Sequence, residues 1–279
     1  MRDHRPFVTA IERLSIEDGP GLRDVIFFKG CTHKCIWCHN PETMHKSASV
    51  LFHRDRCIAC QRCQQCCPNS AIQRNNHFTV DTSRCQRCGR CAAACDTGAI
   101  EICGRQYAPD ELVTVLLKDK RYFDNSAGGV TFSGGEPTLH MPYLADVCVR
   151  LKQHSIHMAI QTAGHFDFEP FSRAICPNID IVYFDIKIWN ENRHRELTGV
   201  SNTRILDNFE RLVKSKSIEV IARTPLIPGL TDTTQNISDI EKFLRSLGVT
   251  TWQKLAFNPG YAAKWEKLGL TPAKITKGI

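Results

Sequence analysis

No stretch of this chain approaches the roughly 18 consecutive apolar residues that a membrane span needs. The opening Met1-Arg2-Asp3-His4-Arg5 leads into no apolar run of signal-peptide type. Nor does any lysine or arginine block run longer than a few residues. These absences set three expectations: no membrane association, no secretory route, and no nucleic-acid partner despite a formal charge of +7. What the chain has in quantity is cysteine, 15 in 279 residues. Without a secretory route these thiols face a reducing compartment, so we expect a cytoplasmic protein whose clustered cysteines hold metal rather than each other. Ligating thiolates carry negative charge that the formal count omits, which brings the true balance nearer zero.

Composition also divides the chain. Residues 51–104 are cysteine-rich and read as almost strandless, whereas 1–50 and 105–279 alternate short apolar runs with amphipathic stretches. Strands are expected at Val25–Phe28, Val130–Phe132, His157–Gln161, Ile179–Asp185, Glu219–Thr224 and Trp252–Phe257. Helices are expected at Asp110–Lys118, Tyr143–His154, Thr203–Lys214 and Asn236–Leu247. Repeated strand-then-helix order predicts an α/β domain with a parallel sheet and active groups at the strands' C-terminal ends. Six such units point to a partial (β/α)6 barrel of TIM type, interrupted by the 51–104 insert.

The insert contains a repeat. Cys57, Cys60, Cys63, Cys67 and then Cys85, Cys88, Cys91, Cys95 share the spacing C-x2-C-x2-C-x3-C, and Pro68-Asn69-Ser70-Ala71-Ile72 matches Asp96-Thr97-Gly98-Ala99-Ile100. This is the bacterial two-cluster ferredoxin pattern, in which three thiolates close on one [4Fe-4S] cube and the fourth reaches to the other. One quartet is then Cys57, Cys60, Cys63 and Cys95, and the second is Cys85, Cys88, Cys91 and Cys67. Paired C-x2-C units also suit zinc. Asp96 stands where the first half has Pro68, and Cys66 is a surplus thiol beside a ligand. Cys103, Cys148 and Cys176 have no metal spacing and read as buried small hydrophobes.

A separate group, Cys31-Thr32-His33-Lys34-Cys35-Ile36-Trp37-Cys38, follows the first expected strand. Three cysteines this close hold three corners of a cube, leaving the fourth iron open to a ligand, as catalytic metal sites require. A zinc loop with His33 or His39 as fourth ligand is the alternative.

The C-x3-C-x-aromatic-C motif, with Trp37 in the aromatic place, resembles that of the radical S-adenosylmethionine (SAM) superfamily. Asp18-Gly19-Pro20-Gly21, Cys38-His39-Asn40-Pro41-Glu42 and Gly129-Val130-Thr131-Phe132-Ser133-Gly134-Gly135-Glu136-Pro137 narrow the resemblance to the glycyl-radical-enzyme activating enzymes. It covers nearly the whole chain. The resemblance implies that Gly134, Gly135 and Glu136 bind the methionyl ammonium, that Asp185 contacts the ribose, and that Lys187 lies near the methionyl end. It implies likewise that Arg223 meets the methionine carboxylate, for which a guanidinium's paired bonds are suited. Gln161 replaces an acidic residue of some relatives, and Asn258 stands where many carry histidine.

The implied activity is reductive cleavage of SAM to methionine and a 5′-deoxyadenosyl radical, which takes a hydrogen from a glycine α-carbon of a partner glycyl radical enzyme. The implied cofactors are three [4Fe-4S] clusters, one catalytic and two of ferredoxin type, with flavodoxin or ferredoxin as reductant. Two rival readings are a radical enzyme acting on a small molecule or other peptide, and a non-catalytic electron-transfer protein.

Overall fold

In a computed structural model of the chain the described residues are 5–74 and 78–275. Residues 1–4, 75–77 and 276–279, which belong to the expected domain ranges, lie outside them. The strands are β1 (Phe7–Ser15), β2 (Arg23–Phe28), β3 (Ser49–Phe52), β4 (Ile72–Arg74), β5 (Phe78–Val80), β6 (Ile100–Cys103), β7 (Arg105–Gln106), β8 (Gly129–Gly134), β9 (His157–Thr162), β10 (Ile181–Asp185), β11 (Glu219–Leu226) and β12 (Trp252–Ala256). The main sheet runs β12-β11-β10-β9-β8-β2-β1-β7. From β2 through β12 every pairing is parallel, while β1 is antiparallel to both β2 and β7.

The six parallel strands are those expected from the sequence, in chain order. Most of their residues are apolar, as in covered parallel strands, except in β12, which is largely exposed. One face, carrying Ile26, Phe28, Val130, Phe132, Ile160, Val182, Phe184 and Ala222, packs on helical residues such as Leu144, Leu151, Phe209 and Leu244. The other carries Ala159, Ile181, Tyr183 and Ile221 in a smaller cluster. Polar groups cap this second face toward the strands' C-terminal ends, where the sequence places the site.

Two expectations need correction. The sheet gains β1 and β7, which the sequence reading did not foresee: β1 mixes Glu12 and Arg13 with its apolar residues, and β7 is only two residues long. Residues 51–104 are also not strandless. β3 pairs with β6 and β4 with β5 in two antiparallel ladders, through short alternating segments such as Ser49-Val50-Leu51-Phe52 that the cysteine density masks. Val50, Cys63, Ile72, Phe78, Cys91 and Ile100 form a core cluster of their own there. Cys103, Cys148 and Cys176 are buried, as expected of small hydrophobes.

At the opposite end of the sheet from the cysteine loop, Asp24 is fully buried near the start of β2. Its Oδ1 accepts from the Leu14 amide at 3.1 Å, but Oδ2 has no donor. Burial and the nearby Asp119, itself held by Arg13, raise the Asp24 carboxyl above its ordinary range. A carboxyl whose folded pKa is raised makes the fold lose stability as pH climbs from the ordinary carboxyl range through the raised value, by at most about 1.4 kcal/mol per pH unit. Asp24→Asn is therefore expected to flatten the stability profile and to be more stable than the parent at pH 8. Urea midpoints at pH 5 and pH 8 check this.

Candidate active site and metal centres

The cysteine loop leaves β2 and folds over the ends of the parallel strands. Backbone bonds fasten it: Gly30 N to Thr43 O (2.6 Å), Cys31 N to Met44 O (3.1 Å), Lys34 N to Thr198 O (2.7 Å) and Ile36 N to Leu197 O (3.2 Å). The last two acceptors close the C-terminal end of helix Glu191–Thr198, an element the sequence reading missed. Trp37 is buried, packing with Cys35, Ile188, Leu197 and Ile227 beneath the loop.

Burial, then the Glu136 carboxylate, pushes the Cys31 thiol up to about 12. Burial likewise raises Cys35 to about 11, against the pull of Lys187, and raises Cys38 further with help from Cys35 and Cys31. Three thiols raised in this way, Cys35 buried and Cys31 and Cys38 half-buried, hold protons by themselves. A bound cation or iron-sulfur cluster is what makes such a donor set favourable as thiolates.

Beside them lies a buried ion triad. Asp185, last in β10, accepts from Lys187 Nζ at 2.8 Å through Oδ2 and from Arg223 Nε and Nη2 at 3.0 Å through Oδ1. Arg223 is opposite Asp185 in the register of β10 with β11 and lies over the Tyr183 ring at 5.2 Å. Burial alone would raise Asp185, but Lys187 and Arg223 hold it below its ordinary value. Asp185 and Lys187, from one strand-end tripeptide, and Arg223, from a separate segment, are thus one bonded group, with Lys187 close enough to act on both Cys31 and Cys35.

Gly134 and Gly135 owe their identity to neighbouring backbone. A Cβ on Gly134 (φ +106°) would stand 2.3 Å from Phe28 N, and one on Gly135 would stand 2.2 Å from Gly30 O. The Glu136 carboxylate is engaged within the protein, accepting from Thr138 N and Oγ1, Thr162 Oγ1 and Ala163 N. It clamps the end of β8 to the end of β9. Gln161 is joined to Ser133 Oγ at 2.7 Å and, through Nε2, to Asp18 Oδ1 at 2.8 Å. Ser133 and Asp18 were quoted in motifs without a role, and their link to Gln161 was not foreseen. Asn258 is exposed, with Oδ1 taken by Gly260 N at 2.8 Å in a local turn.

The two histidines weighed as zinc ligands make ring contacts, and the buried His33 Nε2 has no hydrogen-bond partner among the described residues. The His33 ring lies 5.7 Å from that of His194 and 6.1 Å from that of His165, and His39 packs 6.1 Å from both Phe257 and Tyr261. Among the described residues no group of three or more His, Cys, Asp or Glu side chains is placed to hold a single metal ion. In the insert, one pocket is lined by Cys57, Cys60, Cys63 and Cys95. A second is lined by Cys67, Cys85, Cys88 and Cys91. These are the quartets expected from the repeat. Asp96, the departure from the first half, pairs with Arg62 across the two halves.

A model of the radical SAM superfamily matches residues 25–244, spanning the cysteine loop, Glu136, the ion triad and the strands that carry them. The chain belongs to the radical SAM superfamily. Its α/β fold, with a mostly parallel central sheet, is that of the radical SAM proteins. Trans-4-hydroxy-L-proline dehydratase activating enzyme of Clostridioides difficile is 36% identical to it, over 94% of this chain and 88% of that one. Isethionate sulfite-lyase activating enzyme of Nitratidesulfovibrio vulgaris is 35% identical over 86% and 80% of the two chains. With such relatives, this radical SAM protein sits among the glycyl-radical-enzyme activating enzymes. The crystal structure of Streptococcus suis SuiB bound to precursor peptide SuiA shares the fold at a TM-score of 0.50 and 14% identity, over 63% of this chain and 36% of that one. No helix among the described residues is long and apolar enough to cross a membrane.

Proposed function

We propose that this protein activates a partner glycyl radical enzyme, and that Cys31, Cys35 and Cys38 hold the catalytic [4Fe-4S] cluster. The observation that carries the reading is the Asp185–Lys187–Arg223 triad beside the three thiols of the loop, toward the ends of adjacent parallel strands. A [4Fe-4S] cluster held by Cys31, Cys35 and Cys38 would, once reduced, supply the single electron needed for cleavage of the SAM S–C5′ bond to methionine and a 5′-deoxyadenosyl radical. The chain's own residues hold and orient. Arg223 and Lys187 are the cations available to the methionine carboxylate, and their bonds to Asp185 keep both in place before SAM arrives. Asp185 contacts the ribose with lone pairs not used by those bonds. The close backbone of Gly134 and Gly135 presents main-chain groups to the methionyl ammonium, and Glu136 acts by holding that turn. Trp37 seals the underside of the loop from water. Gln161, fixed by Ser133 and Asp18, gives the site a polar wall without added charge, and Asn258 offers its amide nitrogen at the rim.

The residues around 51–104 then form a ferredoxin-like domain with two further [4Fe-4S] clusters, each in one of the two cysteine-lined pockets. Each pocket is lined by four cysteines drawn from both halves of the repeat, the donor set that a four-iron cube takes in this spacing. A flavodoxin or ferredoxin in the cytoplasm is the reductant that fits. The test is anaerobic. Reconstituted with iron and sulfide, reduced with dithionite and given SAM, the protein is expected to hold about twelve irons and to release 5′-deoxyadenosine. A candidate partner should then show the doublet of a glycyl radical by electron paramagnetic resonance. Full iron with neither product would favour the electron-transfer reading.

A further inference from the structure

The C-terminal helix Tyr261–Lys267 lies against the segment that carries the third cysteine of the catalytic loop. Trp265 Nε1 donates to the carbonyl oxygen of Cys38 at 2.9 Å. One residue earlier, Lys264 Nζ donates to Asn40 Oδ1 at 2.8 Å and lies 3.5 Å from Glu42 Oε1. At the start of the helix Tyr261 is buried, its ring 5.5 Å from Phe257 and 6.1 Å from His39. Adjacent residues of one helix thus grip Cys38, Asn40 and Glu42, across more than two hundred residues of chain. The loop's other backbone fastenings reach Gly30, Cys31, Lys34 and Ile36, so among the described residues the long-range hydrogen bond to Cys38 comes from this helix, beside that residue's apolar packing against Ile188, Leu197 and Ile227.

We infer that Trp265 is a positioning residue for the catalytic centre, holding the backbone of Cys38 through the indole N–H, with Lys264 steadying the residues that follow. This rests on the reading of Cys38 as a cluster ligand. The peptide carbonyl of a ligating cysteine sits close to the thiolate, and a donor on it both restrains the loop and offsets negative charge there. Losing the donor frees Cys38 to move off its corner of the cube, which should loosen iron at the three-cysteine site alone. A net hydrogen bond of this kind is worth about tenfold in an equilibrium.

The test compares reconstituted wild type with Trp265→Phe, which keeps a packed ring but loses the donor, and with Lys264→Met. Iron removal by a chelator is followed in time, and the reduced proteins are examined by electron paramagnetic resonance with and without SAM. We expect Trp265→Phe to lose about a third of its iron roughly five- to tenfold faster and to show an altered SAM-dependent signal, the remaining iron leaving at the wild-type rate. Lys264→Met should show a smaller change of the same kind. Wild-type kinetics and spectra in Trp265→Phe would overturn the role, and so would equal acceleration for all the iron, which reports general loosening. Cys38→Ala separates the two layers: if it keeps wild-type iron at the three-cysteine site, the ligand assignment fails, whatever Trp265→Phe does.

Discussion

Replacing Cys35 by alanine is expected to abolish 5′-deoxyadenosine formation, by on the order of a thousandfold or more, as when one member of a catalytic unit is removed. The iron of the eight insert cysteines should stay in place. Cys35 is the most enclosed thiol of the loop and is coupled electrostatically to Cys38 and Cys31 on one side and to Lys187 on the other. The insert's core of Val50, Ile72, Phe78 and Ile100 is a separate cluster that the substitution does not touch. Chromatography for deoxyadenosine, with Mössbauer or paramagnetic resonance counting of clusters, reads both halves of the prediction. Cleavage that survives the substitution would sink the assignment of the loop.

Asp185→Ala should be the most destabilising single change at the site. It leaves the Lys187 and Arg223 side chains, each only 11% exposed, without their shared carboxylate. Breaking a buried pair in this way costs about 3–5 kcal/mol, here with two cations stranded, and SAM binding should be lost with it. The triad also sets a pH window. Asp185 is held below its ordinary value, so its contribution is complete above the ordinary carboxyl range and is lost as pH falls through the lowered pKa. Burial lowers Lys187, but the Asp185 carboxylate, with any thiolate at Cys35, outweighs it and raises the pKa overall. Its contribution is present below the ordinary lysine value and is lost as pH rises through the raised one. Denaturant midpoints of the wild type should therefore show the triad's stabilisation between about pH 4 and about pH 10, and Asp185→Ala should lack it. An unchanged midpoint at pH 7 would show that the triad contributes nothing.

The gap between sequence and structure follows distance along the chain. Most of the parallel strands were legible because they are compact apolar runs, whereas β1 mixes charged with apolar residues and β7, at the edge, is only two residues long. The quartets lining the two insert pockets were legible because a short repeat constrains its own geometry. Glycines 134 and 135 were legible as special, but the reason was not: the backbone that excludes a Cβ belongs to β2 and the cysteine loop. Asn258 and Glu136 were identified by motif position, and what each side chain bonds to was not written there. The Trp265 indole carried no signal at all, since nothing local to residues 261–267 mentions Cys38.

By itself the sequence determined which donors this protein has, their grouping into one set of three and one repeat of eight, and the order of strands that carries them. Those are local properties, set by spacing and by the period of apolar residues. Only the tertiary structure decided that Asp185, Lys187 and Arg223 form one ion triad, that Glu136 ties β8 to β9, that Asp18 reaches Gln161, and that the C-terminal helix holds Cys38. Each of these is a bond between side chains and distant backbone or side-chain atoms, brought within 3 Å by packing of the sheet and helices, and packing is not encoded in any one segment.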